Sequence, residues 1–173
     1  MPLNFMGVES KESCLAHYSL ANKKIIDAKS GLDRFYYSNG LKDVWTAFEA
    51  FLGYRGYNGK VWMKIRDFSA DASNIKLFST WNRTSLFKES IGILQKESPV
   101  TNMENNRVIP LTNSDDLKEI LTFAYVPRGN LIHGEKDLLM DNNHGQRNRN
   151  LVEHSFKVVH EILQFFMNHD KLI

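Results

Sequence analysis

Residues 147–168 read RNRNLVEHSFKVVHEILQFFMN. Leu151, Phe156, Val158, Val159, Ile162, Leu163, Phe165 and Phe166 recur at steps of three and four. That is the period of a helix and not the alternation of a strand. The apolar set wraps much of the helix circumference, which predicts burial against a bundle and against a partner chain as well.

The same period extends outward from this helix. Thr112-Asn113-Ser114-Asp115-Asp116 reads as a helix start, with Asn113 accepting an orphan backbone N–H and the aspartates facing the positive helix end. Leu117, Ile120, Leu121, Ala124 and Tyr125 carry its apolar stripe toward Arg128. Further helices are predicted over about 10–29, 41–53 and 60–68, the last with Val61, Trp62, Ile65 and Phe68 inward. Residues 73–96, with Ile75, Phe78, Leu86, Phe87, Ile91 and Leu94, form one long helix or two short ones. Ser30-Gly31, Ser38-Asn39-Gly40 and residues 54–59 read as breaks. Residues 99–112 and 141–150 read as polar loops, the first with a short extended piece at 107–111. The expected fold is all-α: an antiparallel bundle of about five to seven helices in a single domain spanning 1–173.

Composition narrows the function classes. A chain of 173 residues with 42% hydrophobic residues and eleven Phe can bury one aromatic-rich core. A formal net charge of +2 is too mild to announce a nucleic-acid binder, so any RNA contact must come from locally gathered cations. Cys14 is the one cysteine and reads as a small buried apolar residue, which excludes a disulfide scaffold and a CxxC zinc site. The start MPLNFMGVESKESC lacks the basic–apolar pattern of a signal peptide, and no apolar run is long enough for a membrane span. The expectation is a cytoplasmic protein without a membrane partner. His144, His154, His160 and His169 come with no HExxH or carboxylate-rich spacing, so neither a metal nor another cofactor is expected.

Residues 125–136, YVPRGNLIHGEK, hold the chemistry. Arg128 is permanently cationic and can fork onto a phosphate. His133 exchanges a proton near neutral pH. Asn130 adds a neutral donor and acceptor. Such a set can cleave RNA without metal: one group draws the proton from a ribose 2′-OH, and the arginine stabilises charge on the phosphate. Five helical steps set Arg128 and His133 about 140° apart. Convergence on one phosphate therefore requires local distortion at Pro127 and Gly129 or a symmetric dimer. Asn130 and His133, three apart, share a face.

The run RGNLIHGEK resembles the Rx4-6H signature of HEPN domains, and is most similar to the Apea-like branch, where R-N-N-L-F-H-G-x-K recurs. Arg128, Asn130, Leu131, His133, Gly134 and Lys136 match it. Val44-Trp45-Thr46-Ala47-Phe48-Glu49-Ala50 resembles an early family helix. The resemblance covers about ten residues specifically and most of the chain in outline. It implies a helical bundle whose dimer brings two motifs to one cleft. It also implies metal-independent endoribonuclease activity of the toxin or phage-defence kind, with RNA as substrate and a cognate antitoxin protein as a further partner. Arg128, Asn130 and His133 would be catalytic, and Lys136, Arg147 and Arg149 would hold RNA phosphates if they are more than solvated charges. The chain departs from the pattern at Gly129, where many members carry Asn, Asp or His. Glu135 occupies the place of a tyrosine that is modified in some paired toxins. Two alternatives stay open: a non-catalytic HEPN module that dimerises and binds nucleotide, RNA or protein, and an unrelated bundle with a chance motif.

Overall fold

The computed structural model describes residues 5–28, 36–102, 104–134 and 143–173, with side chains for 9–26, 37–102, 104–130 and 145–173. In chain order these form α1 (Phe5–Ala28), α2 (Tyr36–Tyr54), α3 (Val61–Ala70), α4 (Ala72–Thr80), α5 (Ser85–Glu97), β1 (Val100–Asn102), β2 (Arg107–Ile109), α6 (Leu117–Gly134) and α7 (Asn143–His169). The fold is an all-α bundle with one two-stranded hairpin.

Helix α7 is the axis of the bundle, 27 residues or about 40 Å long. Its residues Leu151, Val152, Phe156, Val158, Val159, Ile162, Leu163, Phe166 and Met167 are all buried, against α1, α2, α5 and α6. The wide apolar stripe is thus covered within this chain. The helix also starts earlier than its apolar pattern, so most of the expected loop over 141–150 is helical. Polar pairs hold those first turns: Gln146 donates to Asn150 at 2.8 Å, and Asn150 donates to Glu97 at 2.7 Å.

Side-chain pairs set the directions of packing. Ser10 lies beside Gly53, and Lys24 pairs with Asp43, so α1 and α2 run antiparallel. Cys14 meets Met167 at 3.8 Å and Tyr18 stacks on His160 at 5.1 Å, so α1 and α7 do as well. Thr84 donates to Glu161 at 2.6 Å, and His154 lies 3.1 Å from Ser90, which makes α5 and α7 antiparallel. Helix α2 instead runs alongside α7 in the same direction, with Gly40 against Phe156 and Arg55 3.5 Å from Asp170. One continuous core joins residues from all seven helices and β1, centred on Trp45, Phe48, Phe51, Phe68, Phe123, Phe156 and Phe166.

Several boundaries differ from expectation. Ser38-Asn39-Gly40 is not a break but the first turns of α2, with Ser38 and Gly40 buried. Glycine is there for packing: a β-carbon at Gly40 would meet Phe156 Cε1 at 2.7 Å. Residues 73–96 are two helices, separated by Trp81–Thr84. Asp71 caps α4 by accepting from Ser73 N–H at 2.8 Å, and Thr84 caps α5 by accepting from Phe87 N–H at 3.0 Å. The polar stretch 99–112 contains a hairpin, with Val100 opposite Ile109 and Asn102 opposite Arg107, so the extended piece is β2. Asp116, and not Asn113, caps α6, taking the N–H groups of Lys118 at 2.9 Å and Glu119 at 3.0 Å. Asn113 closes its own short turn onto Asp115 N–H at 2.9 Å. Trp62, Ile26 and Ile75 point outward and not into the core. Cys14 is buried, and burial pushes its thiol up to about 12.

Candidate functional site

Helix α6 carries the motif. Leu117, Ile120, Leu121, Phe123, Ala124 and Val126 bury its first half in the core. Pro127 lies inside the helix, where its ring removes one i→i−4 hydrogen bond. The helix nevertheless continues to Gly134. Burial ends where the motif begins: Arg128, Gly129 and Asn130 are all partly exposed.

Arg128 is positioned by Tyr125, one turn earlier. Its Nη1 donates to the tyrosine hydroxyl at 3.2 Å, and the guanidinium carbon lies 5.6 Å above the ring centroid. The tyrosine is itself fixed by an edge-to-face contact with buried Trp45 at 5.1 Å. A core indole thus holds the ring on which the arginine rests. Tyr125 reads in the sequence as one more apolar residue, although its three-residue offset from Arg128 is a helix-neighbour spacing.

Asn130 turns toward the hairpin, where its Nδ2 donates to the backbone carbonyl of Thr101 at 3.0 Å. Gly129 has open space where a β-carbon would go, so packing does not demand glycine there. His133 is in the last turn of α6, one residue before Gly134; its side chain lies outside the described part. By helix register it is rotated about 140° from Arg128 and shares a face with Asn130. Register alone therefore places positions 128 and 133 on different faces of α6.

The expected phosphate contacts are dispersed. Lys136 lies outside the described residues. Arg147 bridges elements: its Nη2 donates to the carbonyls of Glu97 and Pro99, both at 2.7 Å, and its Nε lies 3.7 Å from the Glu97 carboxylate. Arg149 donates to Gln146 Oε1 at 3.0 Å on the surface of α7. The structure thus brings Arg128 and Tyr125 together, and links Asn130 to the middle of β1 and Arg147 to the residues just before it.

Two histidines are buried in the bundle. His154 contacts Ser90, and burial lowers its pKa. His160 stacks on Tyr18, and burial brings it down to about 4. Neither ring nitrogen of His160 has a hydrogen-bond partner among the described residues. Among those residues no three His, Cys, Asp or Glu side chains gather as metal ligands would. No helix of the described residues is long and apolar enough to cross a membrane. No family model matches the chain, and no curated protein or solved structure matches it either.

Proposed function

We propose that the chain is a metal-independent endoribonuclease of the HEPN type, working at a cleft shared by two copies of itself. The observation that carries this reading is the setting of Arg128: a partly exposed guanidinium, steadied by Tyr125, on the same last turns of α6 as Asn130 and His133. His133 acts as general acid and base. The ribose 2′-oxygen loses its proton and bonds to phosphorus, while the 5′-oxygen leaves and takes up a proton. The products are a 2′,3′-cyclic phosphate and a 5′-hydroxyl. Arg128 stabilises the charge on the non-bridging oxygens. Asn130 orients the scissile group, and Lys136, Arg147 and Arg149 are the candidate backbone contacts. The 140° offset on one helix is the reason for two copies: a two-fold axis brings one chain's histidine toward the other's arginine. A toxin or phage-defence role, with an antitoxin as partner, belongs to the same reading.

The test is incubation of purified protein with RNA in EDTA, beside His133→Ala. The parent should release cyclic-phosphate ends and the variant none, with matching circular dichroism. An inert parent, or a variant that cleaves equally, overturns the reading. A second reading, a non-catalytic HEPN-type binding module, is favoured by the engagement of Asn130 with Thr101 and by the bare position at Gly129. It predicts that both proteins leave RNA intact while still binding it.

A further inference from the structure

A groove of about 950 Å³ opens between α3, the β-hairpin and α6. Its volume is at the upper end of the range for ligand sites, about 300–1,000 Å³. Lys60, Arg66, Arg107 and Lys118 line it against two carboxylates, Glu49 and Glu104. Glu49 is engaged by Lys64 at 3.8 Å, and Arg66 by Asp67 at 2.8 Å. Lys60 at the N-terminal cap of α3, Arg107 of β2 and Lys118 of α6 have no carboxylate partner among the described residues. The groove thus carries four cations against two carboxylates, in a chain whose formal net charge is +2.

Aromatic surface accompanies the charge. Trp62 lines the groove with 54% of its surface exposed, which is unusual for so large an apolar side chain. The guanidinium of Arg66 lies 5.7 Å above its ring. Tyr125 lines the groove as well, and its hydroxyl receives the hydrogen bond from Arg128. The groove thus runs up to the residue that positions the motif arginine.

We propose that this groove is a binding track for a single-stranded RNA segment, leading the chain toward the Arg128 end of α6. The inference rests on the RNA substrate of the proposed function and names where that substrate lies. The lysines and arginines neutralise phosphates without reading sequence. Trp62 supplies a face on which an unpaired base stacks, which a base-paired strand cannot use in the same way. An acidic peptide would satisfy the cations but would have no use for the indole.

Fluorescence anisotropy with a labelled single-stranded RNA tests this, using His133→Ala protein so that the probe stays intact. Trp62→Ala should weaken binding about fivefold to a hundredfold, the range for one stacked base, and Trp62→Phe should keep most of the affinity. The double variant Arg107→Ala, Lys118→Ala should flatten the salt dependence of log affinity by about 1.4. The same RNA as a duplex should bind more weakly. Trp62, Arg107 and Lys118 are all at the surface, and circular dichroism melts confirm folding. Single-strand affinity that ignores both substitutions overturns the track, as does displacement by polyglutamate with no dependence on Trp62. Loss of binding in the groove variants from a parent that does not cleave leaves the track standing and removes the nuclease. Cleavage by the parent with unchanged affinity in the groove variants does the reverse.

Discussion

The ring of Phe156 lies against the backbone of Gly40, so that a β-carbon there would meet ring atoms at 2.7, 2.8 and 3.1 Å. Phe156 is fully buried and packs edge-on against Tyr37 and His160, which leaves it little room to retreat. Gly40→Ala should therefore destabilise the fold by about 1–3 kcal/mol through overpacking, even though alanine is the better helix former. Denaturant unfolding measures this, and pairing the change with Phe156→Leu should recover part of the loss. An unchanged midpoint in the single variant would mean that α2 and α7 can slide apart at no cost.

Gly129 is the contrasting glycine. It is also helical, but nothing lies within 4 Å of its missing β-carbon. Gly129→Ala should stabilise the chain by about 0.5–1 kcal/mol, by reducing the freedom of the unfolded backbone. A lower melting temperature in that variant would contradict the open space at this position.

His160 should make the bundle acid-sensitive. Its folded pKa is lowered from 6.5 to about 4 by burial, so it stays neutral in the fold while the unfolded chain takes up a proton. The resulting stability is complete above about pH 6.5 and is lost as pH falls toward 4, amounting to about 3 kcal/mol. His154, also lowered by burial, adds loss in the same direction. Stability measured across this window should flatten in His160→Phe, which keeps an aromatic ring beside Tyr18. A profile as steep as the parent's would assign the acid sensitivity to other groups.

A shared cleft predicts complementation. Arg128→Ala and His133→Ala should each be inactive on RNA. Mixed after unfolding and refolding together, they should regain part of the activity, because one cleft of the mixed dimer then has both groups. A mixture as inactive as its components would show that the arginine and histidine must come from the same copy.

Arg147 should behave as a fastener for the hairpin, given its contacts with the Glu97 and Pro99 carbonyls and the Glu97 carboxylate. Arg147→Ala should cost about 1.5–3 kcal/mol, as for hydrogen bonds to charged groups that are partly shielded. Amide exchange over residues 100–109 should rise more than exchange in α2. A uniform rise would indicate a global effect without specific loosening of the hairpin.

The helical core was readable because its signal is periodic. Phe48, Phe51, Phe78, Phe87, Ile91, Phe156, Ile162 and Phe166 are buried where their spacing puts them. What escaped reading depends on contacts far apart in sequence. Gly40 has the form of a breaker, yet Phe156, more than a hundred residues later, makes it an interior helix position. Trp62 has the composition of a core residue but sits outward on α3, because Ile65 and Phe68 fill the inward face. The extended piece at 107–111 was legible, but its pairing with Val100–Asn102 was not, because that hairpin is held to the bundle by Arg147 and Asn130. The motif's place at the end of an apolar helix was legible, since the apolar stripe from Leu117 to Val126 leads directly into Arg128. The groove beside it was not, because Lys60, Arg107 and Lys118 come together only in three dimensions.

The tether from Asn130 to Thr101 has a mechanical consequence. Strand β1 is gripped near its start from α7 and in its middle from α6, while its partner strand supplies a wall of the groove through Arg107 and Ile109. A shift in the last turns of α6 would therefore pull on that wall, and filling the groove would push back on the turns that carry His133. The hairpin is the crossbar between the two positions, tied to α6 through Asn130 and lining the groove with Arg107 and Ile109.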